Sequence, residues 1–124
     1  MKALRYYAPE DVRLEDVPEP VCGPDEIKIR VRNCSTCGTD VKIFYNGHQN
    51  LTPPRTIGHE IAGEVIAVGD AVQGVTVGKR YVVFPWHGCG ECSVCKRGDE
   101  NLCLAGKSMG VFQPGGYADH VLVS

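Results

Sequence analysis

Four of the seven cysteines of this 124-residue chain fall within fifteen residues, at Cys89, Cys92, Cys95 and Cys103. The spacing is C-x2-C-x2-C-x7-C, in a stretch that also holds Gly88, Gly90 and Gly98. Thiolates this close, on a backbone free to turn, can surround one ion tetrahedrally, and zinc takes that four-sulfur geometry as a closed structural site. A segment folded around an ion needs no hydrophobic periodicity, and residues 85–107 have none. They are expected to form a loop lobe built on the metal. A disulfide or redox pair fits poorly. The cysteine count is odd, nothing points to an oxidising compartment, and the strand-then-helix setting of a C-x-x-C redox motif is missing.

The rest of the chain reads as short strands. Lys2–Tyr6 and Val12–Val17 are expected strands around a turn at Pro9-Glu10-Asp11, and Pro18, Pro20, Gly23 and Pro24 then break the pattern. Glu26–Arg32 alternates strictly, which predicts a half-buried strand with Ile27, Ile29 and Val31 inward. Thr39 or Asp40 is placed to cap a short helix that runs to Tyr45 and ends at Asn46-Gly47. Thr52-Pro53-Pro54 reads as extended loop. Ile61–Val68 is apolar and β-branched, a buried strand with a close backbone approach at Gly63. Tyr81–Phe84 and Tyr117–Val123 complete a set of about seven strands with one or two short helices. The pattern predicts a mostly β, barrel-like fold over residues 1–124, with no linker that would divide it.

Composition narrows the function. Hydrophobic residues make up 43%, charged residues 23%, and the formal charge is −2, with acids and bases mixed along the chain. There is no basic stripe to neutralise phosphates, so nucleic acid is not the expected partner. The apolar runs are far too short to span a membrane, and the residues after Met1 do not read as a signal peptide. A soluble protein of the reducing cytoplasm is expected.

A second cluster carries the chemistry. Cys37-Gly38-Thr39-Asp40 sits at a strand-to-helix junction, and Gly58-His59-Glu60 sits just before the Ile61 strand. A thiolate, an imidazole and a carboxylate can supply three ligands and leave a fourth position open, as catalytic zinc sites do. A helix N-terminus also favours the thiolate of Cys37. Each residue alone has an ordinary explanation: Cys37 as a small buried hydrophobe, His59 as a satisfied or solvated histidine, Thr39 and Asp40 as capping residues, and Glu60 as a solvated strand-end acid. They gain weight beside the four-cysteine lobe.

Taken in order, Cys37-Gly38-Thr39-Asp40, Gly58-His59-Glu60-Ile61-Ala62-Gly63-Glu64-Val65 and Gly88-Cys89-Gly90-Glu91-Cys92-Ser93-Val94-Cys95 with Cys103 resemble the zinc-dependent medium-chain alcohol dehydrogenases. The first motif is most similar to the polyol, sorbitol and threonine dehydrogenase branch, and the likeness runs over essentially the whole chain. The resemblance implies a GroES-like, partly open barrel with short helices and a structural-zinc lobe at 85–107. It implies that Cys37 and His59 ligate a catalytic zinc, with Glu60 as a direct or alternate ligand. Asp40 would hold the ring nitrogen of His59 that is off the metal, and Thr39 would pass on the substrate hydroxyl proton. Cys89, Cys92, Cys95 and Cys103 would hold the structural zinc. The implied reaction is oxidation of a primary or secondary alcohol or polyol, through a zinc alkoxide and hydride transfer to NAD or NADP, in a parent enzyme that is a homo-oligomer.

The chain also departs from the family pattern. Many relatives carry a histidine five residues after the catalytic cysteine, where Lys42 stands here, and His48 lies nearby in a loop. His87 and His120 have no motif support, and Cys22 and Cys34 fall outside both ligand sets. No G-x-G-x-x-G turn exists to seat a dinucleotide. Gly106-Lys107-Ser108 is similar to the tail of a phosphate-binding loop, but Asn101 stands where that loop needs its first glycine. The reading is therefore the amino-terminal catalytic part of a dehydrogenase, without a coenzyme domain or a further zinc ligand that relatives supply later, and inactive alone. The alternative is a zinc-stabilised GroES-like binding module without redox chemistry.

Overall fold

The computed structural model describes residues 1–124. Strand β1 (Lys2–Ala8) pairs antiparallel with β2 (Asp11–Asp16), in register from Lys2↔Asp16 to Tyr6↔Val12. The turn between them places Glu10 at a positive φ of 62° and donates its N–H to the Phe44 carbonyl at 2.7 Å. On its other side β1 takes the short strand β4 (Arg55–Thr56), giving a three-stranded sheet.

The second sheet holds four antiparallel strands in the order β6 (Arg80–Val82), β5 (Glu60–Val68), β3 (Ile27–Ser35), β9 (His120–Val123). Ile29, Ile61, Val65, Val83, Met109 and Val121 form the core against this sheet, with Ile27 and Val31 packed beside it. The alternation read from Glu26–Arg32 therefore faces inward as expected. The expected backbone approach at Gly63 is also present: a Cβ there would lie 2.4 Å from the Arg30 carbonyl oxygen and from Ile29 Cγ2. A second core cluster, Tyr6, Ile43, Leu51, Ile57 and Val111, sits under helix α1 (Gly38–Asn46). Together the two sheets make a mostly β, open-barrel arrangement.

Some expected boundaries move. The last strand begins at His120, not Tyr117. Residues 117–119 divide their hydrogen bonds between elements: Tyr117 N–H to the Ile57 carbonyl, Leu4 N–H to the Tyr117 carbonyl, and Val31 N–H to the Asp119 carbonyl. That crossing stitches the two sheets and cannot belong to one ladder. β6 spans Arg80–Val82; Val83 still bonds the Ile61 carbonyl and is buried, while Phe84 is exposed. Asp40 does not cap the helix from outside. Cys37 is the capping residue and Asp40 is the third residue of the first turn.

Residues 85–107 are more ordered than an aperiodic loop. A two-residue pairing of β7 (Trp86–His87) with β8 (Lys107–Ser108) closes the base. Between them lie α2 (Ser93–Lys96) and a 3₁₀ turn at Glu100–Leu102. A C-x2-C step spans about one helical turn, so Cys92 and Cys95 themselves wind α2. The Trp86 indole N–H donates to the Glu100 carbonyl at 2.7 Å, and its ring fills the space beside Gly106, where a Cβ would come within 2.3 Å of it. No helix is long and apolar enough to cross a membrane.

Candidate metal centres

The lobe brings Cys89, Cys92, Cys95 and Cys103 together around one point. Their Sγ atoms lie 3.4 Å apart for Cys92–Cys95, 3.8 Å for Cys92–Cys103 and 4.0 Å for Cys89–Cys95. Zinc–sulfur bonds of about 2.3 Å in a tetrahedron require sulfur–sulfur edges of about 3.8 Å. The observed distances bracket that edge and are far too long for disulfide bonds, which measure about 2.05 Å. Backbone N–H groups of Cys92 and Cys89 donate to the sulfurs of Cys89 and Cys103, each at 3.4 Å. Gly88 must be glycine here, since a Cβ would stand 2.8 Å from Cys95 Sγ.

The thiols differ in how readily they ionise. Backbone N–H groups of Cys92 and Glu91 draw the Cys89 thiol down to about 6. Burial, reinforced by hydrogen bonding with Cys92, pushes the Cys95 thiol up to about 12. A buried thiol that resists ionising beside another that ionises easily is a set a divalent cation completes, because the ion supplies the charge that burial withholds.

The second cluster is assembled by the sheet. β3 and β5 pair with Ser35 opposite Glu60, so the end of β3 lies beside the start of β5. Cys37 lies two residues beyond β3 and caps α1, while His59 immediately precedes β5 and Glu60 opens it. One ligand atom from each of Cys37, His59 and Glu60 lies within 4.8 Å of the others. Metal–ligand bonds of about 2.0–2.3 Å span donor separations of roughly 4 Å, so small side-chain rotations close the set.

Asp40 stands behind it. It is only 4% exposed. Its Oδ2 accepts the Cys37 backbone N–H at 2.9 Å and the Tyr117 hydroxyl at 3.1 Å. Its Oδ1 is buried without a hydrogen-bond partner and lies 3.6 Å from His59 Nδ1. A buried acceptor left alone is costly, and the group it faces is an imidazole nitrogen. A cation on Nε2 would fix the ring proton on Nδ1, where it could be donated to Oδ1. The orphan oxygen and the mixed sulfur, nitrogen and oxygen donors thus both fit a metal in front of His59.

The other expected residues are placed as follows. Thr39 is exposed on the first turn of α1, and Lys42 is exposed on the same helix. His48 is exposed and accepts the Asn50 N–H at 3.2 Å, and does not join the cluster. Cys22 is half-buried and bonds the Glu26 carbonyl at 3.2 Å. Cys34 is also half-buried, and burial raises its thiol to about 11. The residue that sequence reasoning missed is Tyr117. Its only trace in the sequence is the preceding Gly115-Gly116 pair, which signals a tight approach. Burial raises its hydroxyl to about 12, and the charge of Asp40 adds to the shift. It is therefore a donor at neutral pH. A groove of about 520 Å³ opens in front of His59 and Glu60, walled opposite by Val82, Val83, Phe84 and Pro85.

A half-open β barrel with a four-thiolate lobe and a mixed-donor cluster at a strand-to-helix junction defines a GroES-like domain of the dehydrogenase type. The alcohol dehydrogenase GroES-like domain family matches residues 23–124, and this chain belongs to it. It is 38% identical over 128 residues to L-threonine 3-dehydrogenase of Serratia proteamaculans, covering 99% of this chain and 37% of that protein. It is 38% identical over 125 residues to sorbitol dehydrogenase of Halalkalibacterium halodurans, covering 98% and 36%. Among solved structures, it superposes on 2R,3R-butanediol dehydrogenase from Bacillus subtilis with a TM-score of 0.88 and 32% identity, over 99% of this chain and 38% of that one. The chain spans about 37% of the length of the curated relatives it matches.

Proposed function

We propose that this chain is the catalytic-domain portion of a zinc-dependent, NAD(P)-linked dehydrogenase that oxidises an alcohol or polyol. Cys37, His59 and Glu60 would hold the catalytic zinc, and Cys89, Cys92, Cys95 and Cys103 the structural one. The bound ion would supply Lewis acidity that makes a substrate hydroxyl easier to deprotonate. The observation that carries the reading is the convergence of Cys37, His59 and Glu60 within 4.8 Å, with the orphan Asp40 Oδ1 behind the histidine.

The side chains divide the remaining work. With an ion on Nε2, Asp40 Oδ1 would accept the Nδ1 proton of His59 and fix the direction of the ring. Val82, Val83, Phe84 and Pro85 give the groove an apolar wall for a carbon skeleton, and the ligand side gives it a polar floor for the hydroxyl. Thr39, on the first turn of the same helix, is the proposed exit for the hydroxyl proton. The names of the threonine, sorbitol and butanediol dehydrogenases point to small hydroxylated substrates. A dinucleotide would bind residues other than these, since none of them forms a Gly-x-Gly-x-x-Gly turn. NAD(P)-dependent turnover by these 124 residues alone is not expected.

Metal analysis tests the assignment. Two zinc ions per chain, falling to one in Cys37→Ser, is the expected result. One zinc per chain, unchanged by Cys37→Ser, would instead make the protein a zinc-stabilised binding module.

A further inference from the structure

We infer that Tyr117 is a positioning residue for the metal-ligating histidine, acting on it in two ways, through the backbone that leads into it and through Asp40. The inference rests on reading Cys37, His59 and Glu60 as a metal site and assigns a residue outside that ligand set.

The ring packs against the backbone just before His59. A Cβ on Gly58 would lie 2.8 Å from both Cγ and Cδ1 of Tyr117, and Gly58 holds a positive φ of 90°. The Tyr117 N–H also bonds the Ile57 carbonyl at 3.0 Å, and the Gly116 N–H bonds the Gly58 carbonyl at 2.9 Å. The path of the chain into His59 is therefore moulded on the Gly116-Tyr117 segment. A left-handed glycine under an aromatic ring leaves His59 little choice of entry angle.

The hydroxyl acts on the same histidine indirectly, through the carboxylate that faces it. It lies 3.1 Å from Asp40 Oδ2 and 3.2 Å from the Ser35 carbonyl. Its one proton is shared between these acceptors, the carboxylate being the nearer and the charged one, so with the Cys37 N–H it gives Oδ2 two donors and Oδ1 none. That asymmetry is what turns the carboxylate. Both donors sit on one oxygen, so the other is presented to His59 Nδ1. Without the hydroxyl, one backbone donor remains on Oδ2, and the carboxyl group is held less firmly against rotation about its Cβ–Cγ bond. The histidine then loses a fixed partner for its Nδ1 proton, and its Nε2 lone pair loses a fixed direction.

Tyr117→Phe separates the two actions, because it keeps the ring on Gly58 and removes only the hydroxyl. Cobalt is the probe. The difference spectrum between the cobalt-loaded protein and its Cys37→Ser variant isolates the second site from the lobe. Tyr117→Phe is expected to weaken Cys37-dependent cobalt affinity about tenfold, in the range of losses for groups that orient a ligand. It should also shift the ligand-field bands of that site and leave the lobe's spectrum unchanged. In an Asp40→Asn background the same change should cost less than about twofold, because the hydroxyl acts through the carboxylate. A Tyr117→Phe protein with wild-type affinity and bands would overturn the inference and leave the metal site standing. Equal losses in both Asp40 backgrounds would also overturn it, by showing an effect that does not pass through Asp40. If the parent protein gives no Cys37-dependent cobalt signal, the site reading itself fails and the inference with it.

Discussion

The two cysteine-containing clusters are built by opposite strategies. The lobe takes all four sulfurs from one fifteen-residue segment, which winds its own short helix around them. The Cys37 cluster takes its candidate donors, and Asp40 behind His59, from two segments and Tyr117 from a third, brought together by the pairing of β3 with β5 and by the crossing at Tyr117. The chemistry differs in the same sense. Four thiolates more than neutralise a divalent ion and enclose it. On the proposed function, a thiolate, a carboxylate and an imidazole would leave such an ion roughly neutral and open on a groove. A closed, electron-rich site suits stability, and an open, nearly neutral one suits catalysis. In this molecule the cluster that is easiest to see is the one assigned no chemistry.

The sharpest way to break that contrast is to remove metal from the lobe. Structural zinc binds folding peptides with about 10–16 kcal/mol of apparent free energy near neutral pH. A strong chelator, or Cys95→Ser, should strip hydrogen-exchange protection from residues 85–107 and leave the barrel strands protected and the far-UV circular dichroism largely unchanged. Simultaneous loss of all β structure would show that the lobe is not separable. Next in size is Cys37→Ser. It should lower the NAD(P)-linked alcohol oxidation proposed for the whole protein by more than the roughly hundredfold ceiling typical of a supporting residue. The thermal midpoint should barely move, because the barrel core does not depend on that sulfur. A large drop in midpoint would erase the distinction between the two sites.

A smaller effect is expected where the lobe meets the barrel. Gly106→Ala drives a methyl group into the Trp86 ring and should destabilise the lobe by about 1–3 kcal/mol, the usual range for overpacking. The loss should be confined by hydrogen exchange to residues 85–107. The smallest effect lies on the barrel surface, where Arg32 donates to Glu64 across β3 and β5 at 2.8 Å. That hydrogen bond, aided by the charge of the guanidinium, lowers the Glu64 carboxyl below its ordinary value. Its contribution is present above the unfolded-state value and is lost as pH falls through the lower folded value. Melting curves between neutral pH and about pH 3 should therefore converge for the wild type and Glu64→Gln, starting from a slight wild-type advantage.

The contrast also explains what could be read in advance. The cysteine spacing announced the lobe because local separation fixes local geometry. The inward set Ile27, Ile29 and Val31 followed from period-two alternation, and the close approach at Gly63 from a glycine inside a β-branched run. Order inside residues 85–107 was not legible, since the helical turn at Ser93–Lys96 is held by sulfur spacing and not by an apolar stripe. In the sequence Tyr117 reads as the start of a strand that follows Gly115-Gly116. Its role depends on bonds to Ile57 and Asp40, far away in sequence, which no local pattern encodes. Asp40 was placed correctly near a helix start, but the oxygen that faces His59 is a property of the folded site alone.

The short ladder between Trp86–His87 and Lys107–Ser108 has a consequence for engineering. The chain enters and leaves the lobe on neighbouring strands, so residues 88–106 behave as a cartridge plugged into a socket two residues wide. Closing such a gap with a tight turn adds little loop-closure entropy. Excising the cartridge should leave a barrel with an ordinary hairpin at its rim. Transplanting it should carry a four-thiolate metal handle onto any antiparallel pair that can accept the indole of Trp86 at its base.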